Sequence, residues 1–312
     1  MTPDRSLAFR LPLLHGEDVR IAQLALLRAG ALRADPDGVF GPATRDAVAG
    51  YQRREGLAAD GVIGPATWSR LLGQPELRRE RPWQEGLRPF LPVLLAWHGP
   101  PLGSGRNRWR LSRRGLEIEG EEGLRRSAVP RTAAACWATH RAPLEAAARR
   151  FAVPVELLLA TACTESGGRA DAIREEPGFT TDAQTPHRVS PGLMQTLIAT
   201  AREALADPKL DRVKLLDPAI SAAAGAAFIS RQARAGRQPT GFDPPLVAIA
   251  YNAGSLRSAR DPLDPWGLVQ TQRGRGHWHA DAFCAFFNDA FAVFVAGDAP
   301  GDDVPSFRTL LP

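Results

Sequence analysis

The residues best placed to do acid chemistry are Thr164-Glu165-Ser166-Gly167-Gly168, which follow the run Phe151 to Cys163, FAVPVELLLATAC. That run is apolar almost all round, the pattern of a buried helix, with Pro154 at a first-turn position. A carboxyl delivered by a buried helix is sheltered from water, and shelter favours its protonated form. Two glycines after it leave open space beside the acid. These are the conditions for a general acid working near neutral pH.

Two further clusters could complete a site. Gly192-Leu193-Met194-Gln195 follows Ser190-Pro191, which reads as the N-cap and first residue of a helix with Leu193, Leu197, Ala201 and Ala204 as its apolar stripe. Ala250-Tyr251-Asn252-Ala253-Gly254 ends a helix that opens at Asp243-Pro244, with Gly254 as the residue after the cap. Tyr251 and Asn252 then stand at a helix end, where polar groups reach a cleft. Another helix is expected from Asp217-Pro218, turning Ile220, Ala224, Ala227 and Phe228 inward. The helically spaced Phe283, Phe286, Phe287, Phe291 and Phe294 predict a core helix that closes the domain.

Between Ser166 and Gly192 the chain carries Glu175, Glu176, Asp182 and His187. As loop charges they are expected to be solvated at the edge of a cleft. Alternatively, one of Glu175, Glu176 or Asp182 activates water opposite Glu165, as in inverting hydrolases with carboxyls about 6.5–9.5 Å apart. His277 and His279, two apart with no third ligand in view, are a weak metal signal. No metal and no cofactor are expected. Arg273 to His277 reads as a basic, Gly-rich loop beside the cleft.

Nearer the N-terminus a loop is written twice. Asp37-Gly38-Val39-Phe40-Gly41-Pro42-Ala43-Thr44 returns as Asp60-Gly61-Val62-Ile63-Gly64-Pro65-Ala66-Thr67. Asp-Gly supplies a tight turn, and each proline pre-sets a helix start. With stripes at Val19, Ala22 and Leu26, at Ala47, Val48 and Tyr51, and at Trp68, Leu71 and Leu72, the result is three short helices. About 60 residues is near the lower limit for independent folding. The segment from Gln74 to Pro82 reads as a linker. Farther on, RWRL and LEIE flank Ser112 to Gly115 and alternate well enough for a short β-hairpin.

Composition narrows the partner. The chain has 312 residues, enough for two domains, and a hydrophobic fraction of 44%, enough to build cores. Thirty-nine basic against 34 acidic side chains leave a net charge of +5, which favours an anionic partner. No phosphate-binding loop, zinc-finger spacing or aromatic RNA-binding run is present, so nucleic acid is not expected. The three scattered cysteines form no disulfide framework and read as buried thiols. No stretch of about 20 apolar residues predicts a membrane span, and Met1 to Leu14 does not read as a secretory signal.

The doubled DGxxGPxT loop, with DVRIAQLALLRAG before it, resembles the peptidoglycan-binding domain appended to many wall hydrolases, over about residues 14–73. Ala22 stands where that family usually has a larger aliphatic residue. The ordered trio ES, GLMQ and AYNAG is similar to the catalytic domain of soluble lytic transglycosylases, relatives of goose-type lysozymes, over about residues 131–290. The resemblance implies that Glu165 is the catalytic acid/base and that Ser166 polarises or orients the sugar. It implies that Met194 and Gln195 line the cleft, that Tyr251 hydrogen-bonds near Glu165, and that Asn252 holds the third motif in place. The implied reaction cuts the β-1,4 bond between N-acetylmuramic acid and N-acetylglucosamine and closes a 1,6-anhydro ring.

The expected architecture is therefore mainly α: a three-helix peptidoglycan-binding domain over 1–75, a connecting segment over 76–130 with the hairpin, and a lysozyme-like domain over 131–312. The expected partner is the peptidoglycan glycan strand, met by a monomer at the cell wall, in the periplasm or outside the cell. With no leader in view, export falls to another route, such as holin-dependent lysis or a dedicated secretion machine. The alternatives are a hydrolytic muramidase of the same fold, a non-catalytic wall-binding protein, and chitin as the substrate.

Overall fold

The computed structural model describes residues 6–72 and 82–311. The chain divides into two compact units, residues 1–80 and 81–312. The linker expected over 74–82 lies, but for Pro82, outside the described residues.

In the first unit, α1 (Glu17–Arg28), α2 (Pro42–Arg54) and α3 (Pro65–Leu71) surround a core that includes Val19, Leu26, Phe40, Val48, Ile63 and Trp68. Pro42 and Pro65 open their helices as the repeat implies. The repeat has a second, hidden half. Gln23 Nε2 donates to Asp37 Oδ1 (2.8 Å), Val39 O (3.0 Å) and Thr44 Oγ1 (3.1 Å), while its Oε1 accepts from Gly38 N–H (2.7 Å). Gln52 makes the same four contacts one repeat later, with Asp60, Val62, Thr67 and Gly61. Each loop is thus clamped by one buried amide from the preceding helix. Ala22 is fully buried, so the small residue leaves this core closed to solvent.

The second unit begins with α4 (Pro82–Leu87) and α5 (Leu91–Leu95), followed by the expected hairpin of β1 (Trp109–Ser112) and β2 (Gly115–Ile118). Leu94, Trp109, Leu111 and Leu116 from this stretch join the same core as the helices that follow, so residues 82–130 belong to its packing. The hairpin docks on the last long helix: Asn288 Oδ1 accepts from Leu116 N–H (2.7 Å), and its Nδ2 donates to Leu116 O (3.0 Å).

Next come α6 (Arg131–Phe151) and α7 (Val155–Ser166), which pack together. Pro143 cannot donate to the carbonyl four residues back, and α6 kinks at His140 (φ −120°, ψ 16°). Then follow β3 (Ile173–Glu175) paired antiparallel with β4 (Val189–Pro191), and α8 (Ile198–Leu205) and α9 (Arg212–Leu215). The unit closes with α10 (Pro218–Ala233), α11 (Pro244–Ala253), the small β5–β6 hairpin (Gln272–Gly274 and His277–Trp278), α12 (His279–Val295) and α13 (Phe307–Leu310). Both Asp-Pro helix starts and the Phe-rich helix fall where the sequence places them. The whole is mainly α. No helix among the described residues is long and apolar enough to cross a membrane.

Candidate active site

Glu165 sits in the last turn of α7, the one residue from Val155 to Ser166 that is not buried. Gly167 (φ 66°) and Gly168 (φ 81°) stop the helix in left-handed conformations, with Gly168 N–H returning to Ala162 O (3.2 Å). The open space expected beside the acid exists at Gly167 alone. At Gly168 a Cβ would come within 2.9 Å of Cys136 Cβ, so this glycine lets α7 press against α6. His140, at the α6 kink, places its Nε2 3.0 Å from Gly168 O, and Arg273 of β5 donates to Thr164 O (2.8 Å). The carboxyl-bearing turn is therefore held from two sides.

Ser190-Pro191 does not begin a helix. Both residues lie in β4, opposite Arg174 and Ile173, and α8 starts at Ile198. The reason lies in where the hydrogen bonds go. The Ser190 hydroxyl contacts Gln195 Oε1 (3.3 Å), the Met194 N–H is taken by Ser221 Oγ (3.0 Å), and Gln195 adopts φ 48°. Gly192 is obligatory here, since a Cβ would lie 1.9 Å from Leu215 O. Gln195 lines the cleft, its Nε2 anchored on Ala172 O and Gly192 O (both 2.9 Å).

Met194 is not in the cleft wall. Its side chain is fully buried against Gly225 of α10, where a Cβ would meet it at 2.7–3.0 Å, and it serves the site through its backbone carbonyl. Ser166 is likewise turned inward. Its hydroxyl is shared between Ala162 O (3.0 Å) and Leu193 O (2.7 Å), which ties α7 to the second motif.

Tyr251 reaches that motif from the end of α11. Its hydroxyl donates to Met194 O (2.9 Å) and so must accept from Thr196 Oγ1 (2.6 Å). Burial, with the Glu165 charge adding to it, pushes the phenol above its ordinary range. Asn252 Oδ1 accepts from Thr271 N–H (2.9 Å), pinning the segment that leads into β5. Thr196 was invisible to motif reasoning, although it directly follows Gln195.

These groups meet around a cleft of about 290 Å³, whose wall includes Glu165, Glu176, Gln195, Phe228, Tyr251 and Asn252. The three second-carboxylate candidates separate. Arg212 grips Asp182 through Nε (3.1 Å to each oxygen) and Nη2 (2.8 Å) and holds that carboxyl below its usual range. It also takes Glu175 (3.0 Å). Glu176 alone lines the cleft, 3.5 Å from Arg174 Nε.

His277 and His279 also part company. His277 is exposed on β6, whereas His279 is 2% exposed with Nε2 3.2 Å from Glu165 Oε1. Among the described residues no group of three metal-ligating side chains forms. The basic loop is a hairpin, with Arg273 turned onto Thr164 O.

The cleft brings together an acid at the end of a buried helix and polar groups from the loop before α8 and from the end of α11. Residues 142–262 match the transglycosylase SLT domain, and residues 15–71 match a putative peptidoglycan-binding domain. The chain thus carries a peptidoglycan-binding module followed by a transglycosylase SLT domain.

Curated relatives match over short stretches. An N-acetylmuramoyl-L-alanine amidase, CwlM, of Mycobacterium tuberculosis is 46% identical over 54 residues, 17% of this chain and 13% of the relative. A zinc D-Ala-D-Ala carboxypeptidase of Streptomyces albus G is 57% identical over 35 residues, 11% of this chain and 14% of the relative. An uncharacterized protein of Kitasatospora aureofaciens is 42% identical over 57 residues, 18% of this chain and 48% of the relative. The chain therefore spans less than half the length of each of these relatives. Among solved structures, a Burkholderia AP3 phage endolysin aligns with 20% identity and a TM-score of 0.23, covering 80% of this chain and 87% of that one.

Proposed function

We propose that this chain degrades peptidoglycan by cutting the β-1,4 bond between N-acetylmuramic acid and N-acetylglucosamine, with Glu165 as the acid/base. The observation that carries the reading is the placement of Glu165: a side chain 16% exposed, at the end of a buried helix, opening on the cleft that Gln195, Tyr251 and Asn252 share. Glu165 protonates the leaving oxygen, and the 2-acetamido group of the sugar stabilises the developing positive charge. The resulting carboxylate then takes the proton of the C6 hydroxyl, which closes a 1,6-anhydro ring. One protein carboxyl suffices, unlike the two of ordinary glycosidases. The module over 1–75 keeps the catalytic domain on the wall, and the reaction takes place in the periplasm or outside the cell.

A second reading rests on Glu176, the other carboxyl in the cleft wall. As a base for water it would make the enzyme a hydrolytic muramidase. Mass spectrometry of digested sacculi separates the two. Anhydro ends, abolished by Glu165→Gln and kept by Glu176→Gln, support the first reading. Reducing ends that vanish with Glu176→Gln support the second. Undiminished wall clearing by Glu165→Gln removes Glu165 from both.

A further inference from the structure

His279 opens α12 with its ring sealed from solvent, and Nε2 makes no hydrogen bond of proper geometry to any described residue. Glu165 Oε1 lies 3.2 Å from that nitrogen, off the hydrogen-bond direction. A buried imidazole nitrogen without a partner is costly, so something must repay it. A small rotation of either side chain would make this contact a hydrogen bond.

We propose that His279 is the positioning residue for Glu165, resting on the acid/base reading above. Its Nε2–H engages Oε1, which leaves Oε2 to carry the proton toward the glycosidic oxygen. Once that proton has gone, the same donor stabilises the carboxylate until it recovers a proton from the sugar. No bond to His279 forms or breaks, and the imidazole keeps its proton throughout. Among the described residues, the charged and titratable groups that share the cleft wall with Glu165 are Tyr251 from α11, Arg174 and Glu176, and Arg273 of β5 donates to the neighbouring Thr164 O. Asp281, on the same helix, is engaged by Arg125 and by Trp266 Nε1 (2.9 Å) and is not free to serve His279.

The test is the pH profile of kcat/KM on soluble glycan strands. A hydrogen bond to a charged acceptor is worth about 10- to 100-fold in rate, so His279→Ala should lose that much in kcat with KM little changed. The high-pH limb should move upward, because a donor that favours ionised Glu165 is gone. His279→Gln, which restores an N–H donor, should recover most of the loss. A folded His279→Ala that is uniformly slower with its limb unmoved, or not slower at all, overturns the inference and leaves Glu165 in place. Wall clearing that survives Glu165→Gln sinks the reading beneath it instead. Should His279→Ala not fold, the imidazole ¹⁵N resonances of the full chain decide: Glu165→Gln must shift the His279 Nε2 signal, and an unchanged signal refutes the contact.

Discussion

The Tyr251 hydroxyl and the Met194 carbonyl, 2.9 Å apart, join the second and third motifs, each of which contributes to the cleft wall. The bond matters because Met194 precedes Gln195, a non-glycine residue at φ 48°, a conformation that persists only where its surroundings enforce it. Tyr251→Phe leaves Met194 O and Thr196 Oγ1 without their partner while keeping the ring against Phe228 (5.4 Å, edge to face). It is expected to cost about 1–3 kcal/mol of stability and to lower kcat more than KM. Denaturant titration and steady-state kinetics of the variant check both halves; an unchanged midpoint would mean that the carbonyl finds another donor.

The glycine pair after Ser166 gives a contrast within two adjacent positions. Gly167→Ala meets only the left-handed strain, about 1–2 kcal/mol, since nothing lies within 4 Å of the new Cβ. Gly168→Ala meets the same strain and the 2.9 Å contact with Cys136 Cβ. It should cost at least about 1–3 kcal/mol more, as overpacking does, and it should displace the turn that carries Glu165. Thermal melts and wall clearing of the two variants side by side test the ranking, and equal losses would contradict it.

In the first unit, Gln52→Ala removes four hydrogen bonds at once and strands the Gly61 N–H. At about 0.5–1.5 kcal/mol per bond, the expected loss is about 2–6 kcal/mol, enough to unfold a module of this size. Calorimetry of the full chain should show an early transition, and retention on sacculi should fall while cleavage of soluble glycan strands persists. Wild-type retention by this variant would detach the clamp from wall binding.

How much of this was legible depends on whether a signal is local. The α7 run, the Asp-Pro starts of α10 and α11, and the doubled loop are short-range patterns, and each names its element directly. Gln23 and Gln52 were not legible, because a glutamine on a helix gives no sign of a loop 14 or 8 residues onward. Ser190-Pro191 misled because its local cap signal lost to strand pairing with β3 and to Ser221, which takes the Met194 N–H. His279 was visible only as half of a weak metal pair. Its approach to Glu165 comes from the packing of α12 on α7, more than a hundred residues apart in sequence and beyond the reach of any motif.

An ion pair between the half-buried His98 and the buried Asp243 gives the second unit a pH dependence of its own. His98 places Nδ1 2.8 Å from Ala96 O and Nε2 2.8 Å from Asp243 Oδ2, while Trp109 Nε1 donates to Asp243 Oδ1 (2.7 Å). Both ring nitrogens face acceptors, which suits the doubly protonated ring. Burial alone would push the imidazole down, and burial pushes the Asp243 carboxyl up. The carboxylate beside His98 outweighs its burial and the repulsion of Arg108, and holds the imidazole above its ordinary value. A raised value in the folded state means stability that is complete below about pH 6.5, where the unfolded imidazole is also charged. That stability drains away as the pH climbs through the folded value. The denaturation midpoint of the wild type should therefore fall on the alkaline side of neutrality. His98→Gln keeps a donor to Asp243 but cannot titrate, so its midpoint should be lower at pH 6 and much flatter above it. Parallel curves for the two proteins across this range would show that His98 is not charged in the fold. The outcome bears on the cleft, because Asp243 directly precedes α11, its carboxylate turned to His98 and Trp109, and Tyr251 and Asn252 sit at the other end of the same helix.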